Sequence, residues 1–117
     1  MKTLSEYINE NLRERMKHEP DKQKIMNNIA DDYIRSIKIK GLSLKDYPLG
    51  WRIEFESSAS NNLSHMIISL SKELIDKNQS LKIYNDIIKI FDKEIICLDQ
   101  FDFRESADWF ELDYKIL

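Results

Sequence analysis

Trp51-Arg52-Ile53-Glu54-Phe55-Glu56 is the stretch on which the fold turns. Apolar Trp51, Ile53 and Phe55 alternate with charged Arg52, Glu54 and Glu56, the two-residue period of a strand with one face buried. Upstream, the apolar residues recur every three or four positions, as on a helix. A chain that passes from one period to the other belongs to the α+β class.

Working back from Trp51, Leu42 to Gly50 holds Pro48 and is flanked by Gly41 and Gly50, so it reads as the loop that closes the helical region. Before it, Ile25, Met26, Ile29, Tyr33 and Ile37 supply the apolar face of a helix, with Pro20 in its first turn and Gly41 as its C-terminal stop. His18-Glu19-Pro20-Asp21 separates it from an earlier helix over residues 4–17. There, Thr3 and Glu6 form a capping-box pattern ahead of Leu4, Ile8, Leu12 and Met16. The two together predict an N-terminal helical hairpin.

Downstream, Ser57 to Asn62 is a polar turn. Leu63, Met66, Ile67, Leu70 and Leu74 then fit a helix that continues through the helix-forming Ser71-Lys72-Glu73-Leu74-Ile75. The competing reading pairs residues 63–70 with 51–57 as a β-hairpin, and the helix is the expectation adopted. Ser80 is the expected cap of a further helix with a core face of Leu81, Tyr84, Ile87, Ile88 and Phe91. Residues 95–103 and 109–117 predict two strands around the turn 104–108. The expected architecture is one domain, residues 1–117, with an N-terminal helical hairpin and further helices packed on a small antiparallel sheet that includes a C-terminal β-hairpin. The other face of that sheet is expected to be polar and acidic.

Several classes of function are set aside by composition. Gly41 and Gly50 are the only glycines, whereas phosphate-cradling loops need several for close backbone approach. His18 and His65 stand far apart, and Cys97 is the one cysteine, so no zinc-ligand spacing exists and neither metal nor cofactor is expected. Cys97 lies in the apolar run Ile95-Ile96-Cys97-Leu98 and is expected to be a buried structural thiol. No serine sits in a nucleophile signature. The sharpest enzymatic pattern is Asp99 with Asp113-x-Lys115, which resembles the acid and (D/E)-x-K halves of a metal-dependent nuclease; such a triplet is expected by chance in a chain this rich in acids and lysines. No catalytic residue is therefore assigned, and the expectation is a non-enzymatic protein. No apolar run reaches bilayer length, and the start turns acidic where a signal peptide would be apolar, so a cytoplasmic location is expected.

Charge supplies the positive clue. The formal net charge is −3, but residues 1–50 hold ten basic and eight acidic groups and residues 51–117 eight and thirteen. From Asp92 onward eight carboxylates face only Lys93, Arg104 and Lys115. Within this segment Phe101, Phe103, Trp109 and Phe110 stand among acids. Adjacent strand residues point to opposite faces, so one of Trp109 and Phe110 is expected on the surface unless both faces are covered, within the domain or by a homodimer. Asp99, Phe101, Asp102, Glu105, Asp108, Trp109 and Glu111 thus make the expected partner-binding patch, an aromatic anchor ringed by carboxylates and suited to a basic protein. Arg35, Lys38, Lys40 and Lys45 form the alternative site, a basic cluster for nucleic-acid phosphates; the bland reading of it is lysines solvating a helix C-terminus.

The opening Met1-Lys2-Thr3-Leu4-Ser5-Glu6-Tyr7-Ile8-Asn9-Glu10, in a chain rich in Ile, Lys, Asn and Asp, resembles the small proteins of phages and mobile elements with AT-rich genomes. That resemblance implies a non-enzymatic binder that disables a host factor, in the manner of anti-CRISPR proteins. It implies as partner a basic, nucleic-acid-binding host protein such as a CRISPR effector or its RNA-bound complex. Immunity or antitoxin proteins, and small RNA-binding modules, are the alternatives.

Overall fold

A computed structural model describes residues 19–58 and 63–117. The expected helix over 4–17, and with it one half of the predicted helical hairpin, lies outside the described residues. Among those described, the chain is α+β: helix α1 (Glu19–Ser36), the short strands β1 (Lys38–Ile39) and β2 (Leu42–Ser43), two 3-10 turns (Leu44–Asp46 and Pro48–Gly50), β3 (Trp51–Ser57), β4 (Leu63–Ser71), α2 (Lys77–Lys93), β5 (Leu98–Glu105) and β6 (Trp109–Ile116). Strands β3 to β6 form one antiparallel sheet in the order β3-β4-β6-β5. The C-terminal hairpin is there as expected, and β4 lies between it and β3. No described helix is long and apolar enough to cross a membrane.

Helix α1 buries Met26, Ala30 and Ile34 completely, four residues apart on one line, with Ile25, Ile29, Tyr33 and Ile37 half-buried beside them. It stops at Ser36, short of the expected Gly41. The Ser36 hydroxyl donates to the Tyr33 carbonyl at 2.5 Å, and the chain turns at once into the β1–β2 hairpin. Lys40 and Gly41 take φ of 50° and 81°, so Gly41 serves a two-residue hairpin turn rather than a helix end.

The segment 63–71 corrects the sequence reading, because it is a strand and not a helix. As a central strand it is buried on both sides: Met66, Ile68 and Leu70 face the helices while Ile67 and Ser69 face the other way, and all five are buried. Burial on both faces removes the polar alternation that marks a strand and leaves an apolar run that suits either period. The helix-forming Ser71–Ile75 makes only one turn, in which the Leu74 and Ile75 amides donate to the Ser71 carbonyl.

Helix α2 is capped by Asp76, not by Ser80. The Asp76 carboxylate accepts from the Gln79 amide at 2.8 Å and the Gln79 side chain accepts from the Asp76 amide at 2.9 Å, a complete capping box. Ser80 is instead buried one turn inside, its hydroxyl bonded to the Lys77 carbonyl. The core face carries Ile83, Tyr84, Ile87 and Phe91, while Ile88 stays at its margin. Asp76→Ala is expected to cost about 1 kcal/mol, read as a lower urea midpoint at unchanged slope. An Asp76→Ala variant as stable as the native protein would remove the cap from Asp76.

Residue 95 takes a φ of 62° where α2 gives way to β5, and strand β5 begins at Leu98 rather than at 95. Cys97 is exposed between buried Ile96 and Leu98, contrary to the expected buried thiol. Its neighbours take the core positions, and alternation turns the thiol outward.

Candidate protein interface

Register assigns each side chain of the sheet to a face. Trp51, Ile53 and Phe55 of β3 lie level with Leu70, Ile68 and Met66 of β4 and with Phe110, Leu112 and Tyr114 of β6, all towards the helices. The outer face is set by the intervening residues: Arg52, Glu54 and Glu56 on β3, His65, Ile67 and Ser69 on β4, Glu111, Asp113 and Lys115 on β6, and Asp99, Asp102 and Arg104 on β5. Six carboxylates (Glu54, Glu56, Asp99, Asp102, Glu111, Asp113) thus share this face with three permanent cations (Arg52, Arg104, Lys115).

At the centre of the face Asp113 is buried, its side chain only 5% exposed, although it sits on the side away from the helices. Its charge is met from two directions: Oδ1 lies 3.0 Å from His65 Nδ1, and Oδ2 accepts from Arg104 Nη2 at 3.3 Å. A carboxylate taken out of water requires such partners. Arg104 also donates through Nε to Glu111 at 3.1 Å and stands 3.6 Å from Asp102, which makes it the hub of the acidic patch. The bond to Glu111, with Asp113 and Asp102 nearby, holds its guanidinium more firmly protonated.

Phe101 completes the cluster. The β5–β6 register shifts between Gln100 and Asp102, which leaves Phe101 as the extra residue of a bulge. Its ring crosses β6 to meet the His65 ring edge-on at a centroid distance of 4.8 Å. It therefore lies over the strand that carries Asp113, yet it remains 59% exposed. Trp109 and Phe110 face opposite ways as expected: Phe110 is buried and stacks on Phe103 at 5.9 Å, and Trp109 is half-buried under the Arg52 guanidinium at 5.1 Å. The exposed aromatic ring of this face is Phe101, and Trp109 lies at the other end of β6.

Of the seven residues expected to form the patch, Asp99, Phe101, Asp102, Trp109 and Glu111 share the outer face, and Asp108 sits in the adjoining turn. Glu105 does not join them. It is level with Phe110 and is bound by Lys72 and Lys77, each at 3.2 Å, on the helical side. Hydrogen bonds from Lys77 and then Lys72 hold its carboxyl below the usual range. Sequence reasoning did not place His65 or Arg104 in the site. The available signal was Asp113, a carboxylate between Leu112 and Tyr114 that calls for a partner.

The nuclease pattern comes together only in part. Asp99 and Lys115 are register partners on the face of Asp113, but both Asp113 oxygens are engaged by His65 and Arg104. Among the described residues no group of three or more His, Cys, Asp or Glu side chains is placed to hold a metal ion.

The alternative basic cluster is divided. Arg35 is bound to Asp31 at 2.8 Å and lies 5.5 Å over the Trp51 ring, and Lys45 is carried by the 3-10 turn beyond β2. Lys38 and Lys40 stay together on the β1–β2 hairpin. Comparison of the chain with protein-family models, with curated proteins and with solved structures found no match.

Proposed function

We propose that the protein acts by stoichiometric binding, docking the outer face of its sheet on a basic surface of a nucleic-acid-binding protein. The observation that carries this reading is Phe101, an aromatic ring 59% exposed on a strand bulge between Asp99 and Asp102, on a face that also carries Glu111 and Asp113. A large ring held out of the core has hydration to lose on docking, and the carboxylates around it select a cationic partner. The Arg104 and His65 bonds hold the acidic side chains in place before binding, which lowers the ordering cost. The opening decapeptide, with its resemblance to phage and mobile-element proteins, directs the choice of partner to a host defence protein such as a CRISPR effector. An immunity protein for a basic nuclease toxin would use the same surface.

The test is affinity capture from host lysate treated with nuclease, followed by titration of the recovered partner against variants. One basic protein is expected in near-equal amount. Phe101→Ala is expected to weaken it by about thirty-fold, mainly through faster dissociation. Asp99→Lys with Asp108→Lys, two carboxylates that make no ion pair among the described residues, is expected to slow association and flatten its salt dependence. A partner that binds Phe101→Ala and the double reversal as tightly as the native protein removes this surface from the account.

A further inference from the structure

On the opposite side of the molecule a groove of about 430 Å³ lies between the end of α1, the β1–β2 hairpin and α2. Lys38 from β1, Lys40 from the hairpin turn and Lys82 from α2 converge on it, with Ser36 and Gln79 between them. The sequence kept Lys82 apart from the other two by more than forty positions, and only the packing of α2 beside the hairpin unites them.

Four features bear on what this groove can hold. None of the three ammonium groups has an ion-pair partner among the described residues, whereas Lys72, in the turn after β4, and Lys77, at the start of α2, both pair with Glu105. The one carboxylate in the lining, Asp86, is already engaged, accepting from the Tyr33 hydroxyl at 3.1 Å. Lys40 also occupies a backbone position with φ of 50°, which asparagine, aspartate or glycine would take with less strain. A lysine there puts its charge at the tip of the hairpin at the expense of local stability. Gln79 adds a neutral donor: its oxygen serves the helix cap, which leaves its amide hydrogens for a ligand.

We infer that the groove formed by Lys38, Lys40 and Lys82 binds a small ligand carrying two or more phosphate groups, of the size of a nucleoside diphosphate. Its volume suits a ligand of that size. A nucleic-acid strand is the poorer fit, because the basic surface does not continue as a track: Arg35 is committed to Asp31 and Trp51, and Lys45 is not in the lining.

The experiment is titration calorimetry with a thermal-unfolding readout, using pyrophosphate, adenosine diphosphate and a single-stranded RNA decamer as probes. Pyrophosphate and adenosine diphosphate are expected to bind and to raise the unfolding midpoint. Lys38→Gln and Lys82→Gln are each expected to weaken them by about ten-fold. Lys40→Asn gives the separating readout, since it is expected to raise the unfolding midpoint of the free protein while weakening the ligand. A merely structural role for Lys40 would move the two together. Absence of binding by pyrophosphate and adenosine diphosphate, binding that survives Lys38→Gln combined with Lys82→Gln, or binding of the RNA alone would each overturn the assignment. Capture of a protein partner by the outer face of the sheet is independent of all these outcomes.

Discussion

Raising the pH above about 10, the ordinary tyrosine range, is expected to unfold the protein steeply. Tyr33, Tyr84 and Tyr114 bridge the helices and the sheet, and each has its pKa raised, chiefly by burial. The Tyr33 hydroxyl donates to Asp86 on α2 at 3.1 Å. Tyr84 on α2 donates to the Asp113 carbonyl of β6 at 2.9 Å, and Tyr114 on β6 donates back to the Tyr84 carbonyl at 3.0 Å. A phenolate at any of the three loses its donated bond, and at Tyr84 or Tyr114 it is also stranded in the core. Because the folded pKa is raised, the stabilisation is fully present below the unfolded value and is lost as pH climbs from there towards the folded value. Each tyrosine still protonated in the folded state then removes about 1.4 kcal/mol per pH unit, so the three together remove up to about 4. Urea denaturation in steps from about pH 8 to pH 11 measures this slope, and phenolate absorbance followed in parallel should grow with unfolding. Phenolate formation by all the tyrosines while the tryptophan fluorescence stays native would refute the arrangement. Tyr114→Phe, which keeps the ring and removes the titrating group, is expected to flatten the slope.

The second large effect is expected at Phe91. The side chain is fully buried at the last turn of α2, and its carbonyl accepts from the Glu94 and Ile96 amides, each at 3.0 Å. It therefore packs the core at the point where the chain leaves the helix for β5. Phe91→Ala is expected to cost about 3–5 kcal/mol through lost burial and the cavity left behind. Domains of this kind have only about 5–15 kcal/mol in total, so the variant should lie close to its unfolding midpoint at physiological temperature. Phe91→Leu, which fills most of the volume, should recover more than half of the loss in the same urea titration. An alanine variant that loses under about 1 kcal/mol would mean that α2 collapses into the space, and that its end is not anchored there.

The candidate site was legible in composition and only partly in position. Alternation correctly separated Trp109 from Phe110, because adjacent strand residues always diverge. The same rule puts Phe101 with Phe103 on the core side, and a single bulged residue reverses this: Phe103 stacks on Phe110 while Phe101 lies against His65 outside. Nothing local in Asp99-Gln100-Phe101-Asp102 announces the bulge, since it exists only relative to the register of β6. Glu105 was grouped with the other acids by proximity in sequence, but strand direction carries it to Lys72 and Lys77 on the other side.

What the sequence by itself determined is what local periodicity and residue chemistry can encode. The α+β class, the strand from Trp51, the helix ending near Phe91, the C-terminal hairpin and the concentration of carboxylates beyond Asp92 all follow from side chains interacting with near neighbours and with water. Tertiary structure alone decided that residues 63–71 are a strand, because a segment buried on both faces has no periodic contrast with solvent to display. It also decided the order β3-β4-β6-β5, the meeting of His65 and Arg104 around Asp113, and the union of Lys82 with Lys38 and Lys40. Those pairings join residues far apart along the chain, and their free energy comes from burial and register that no short window of sequence contains.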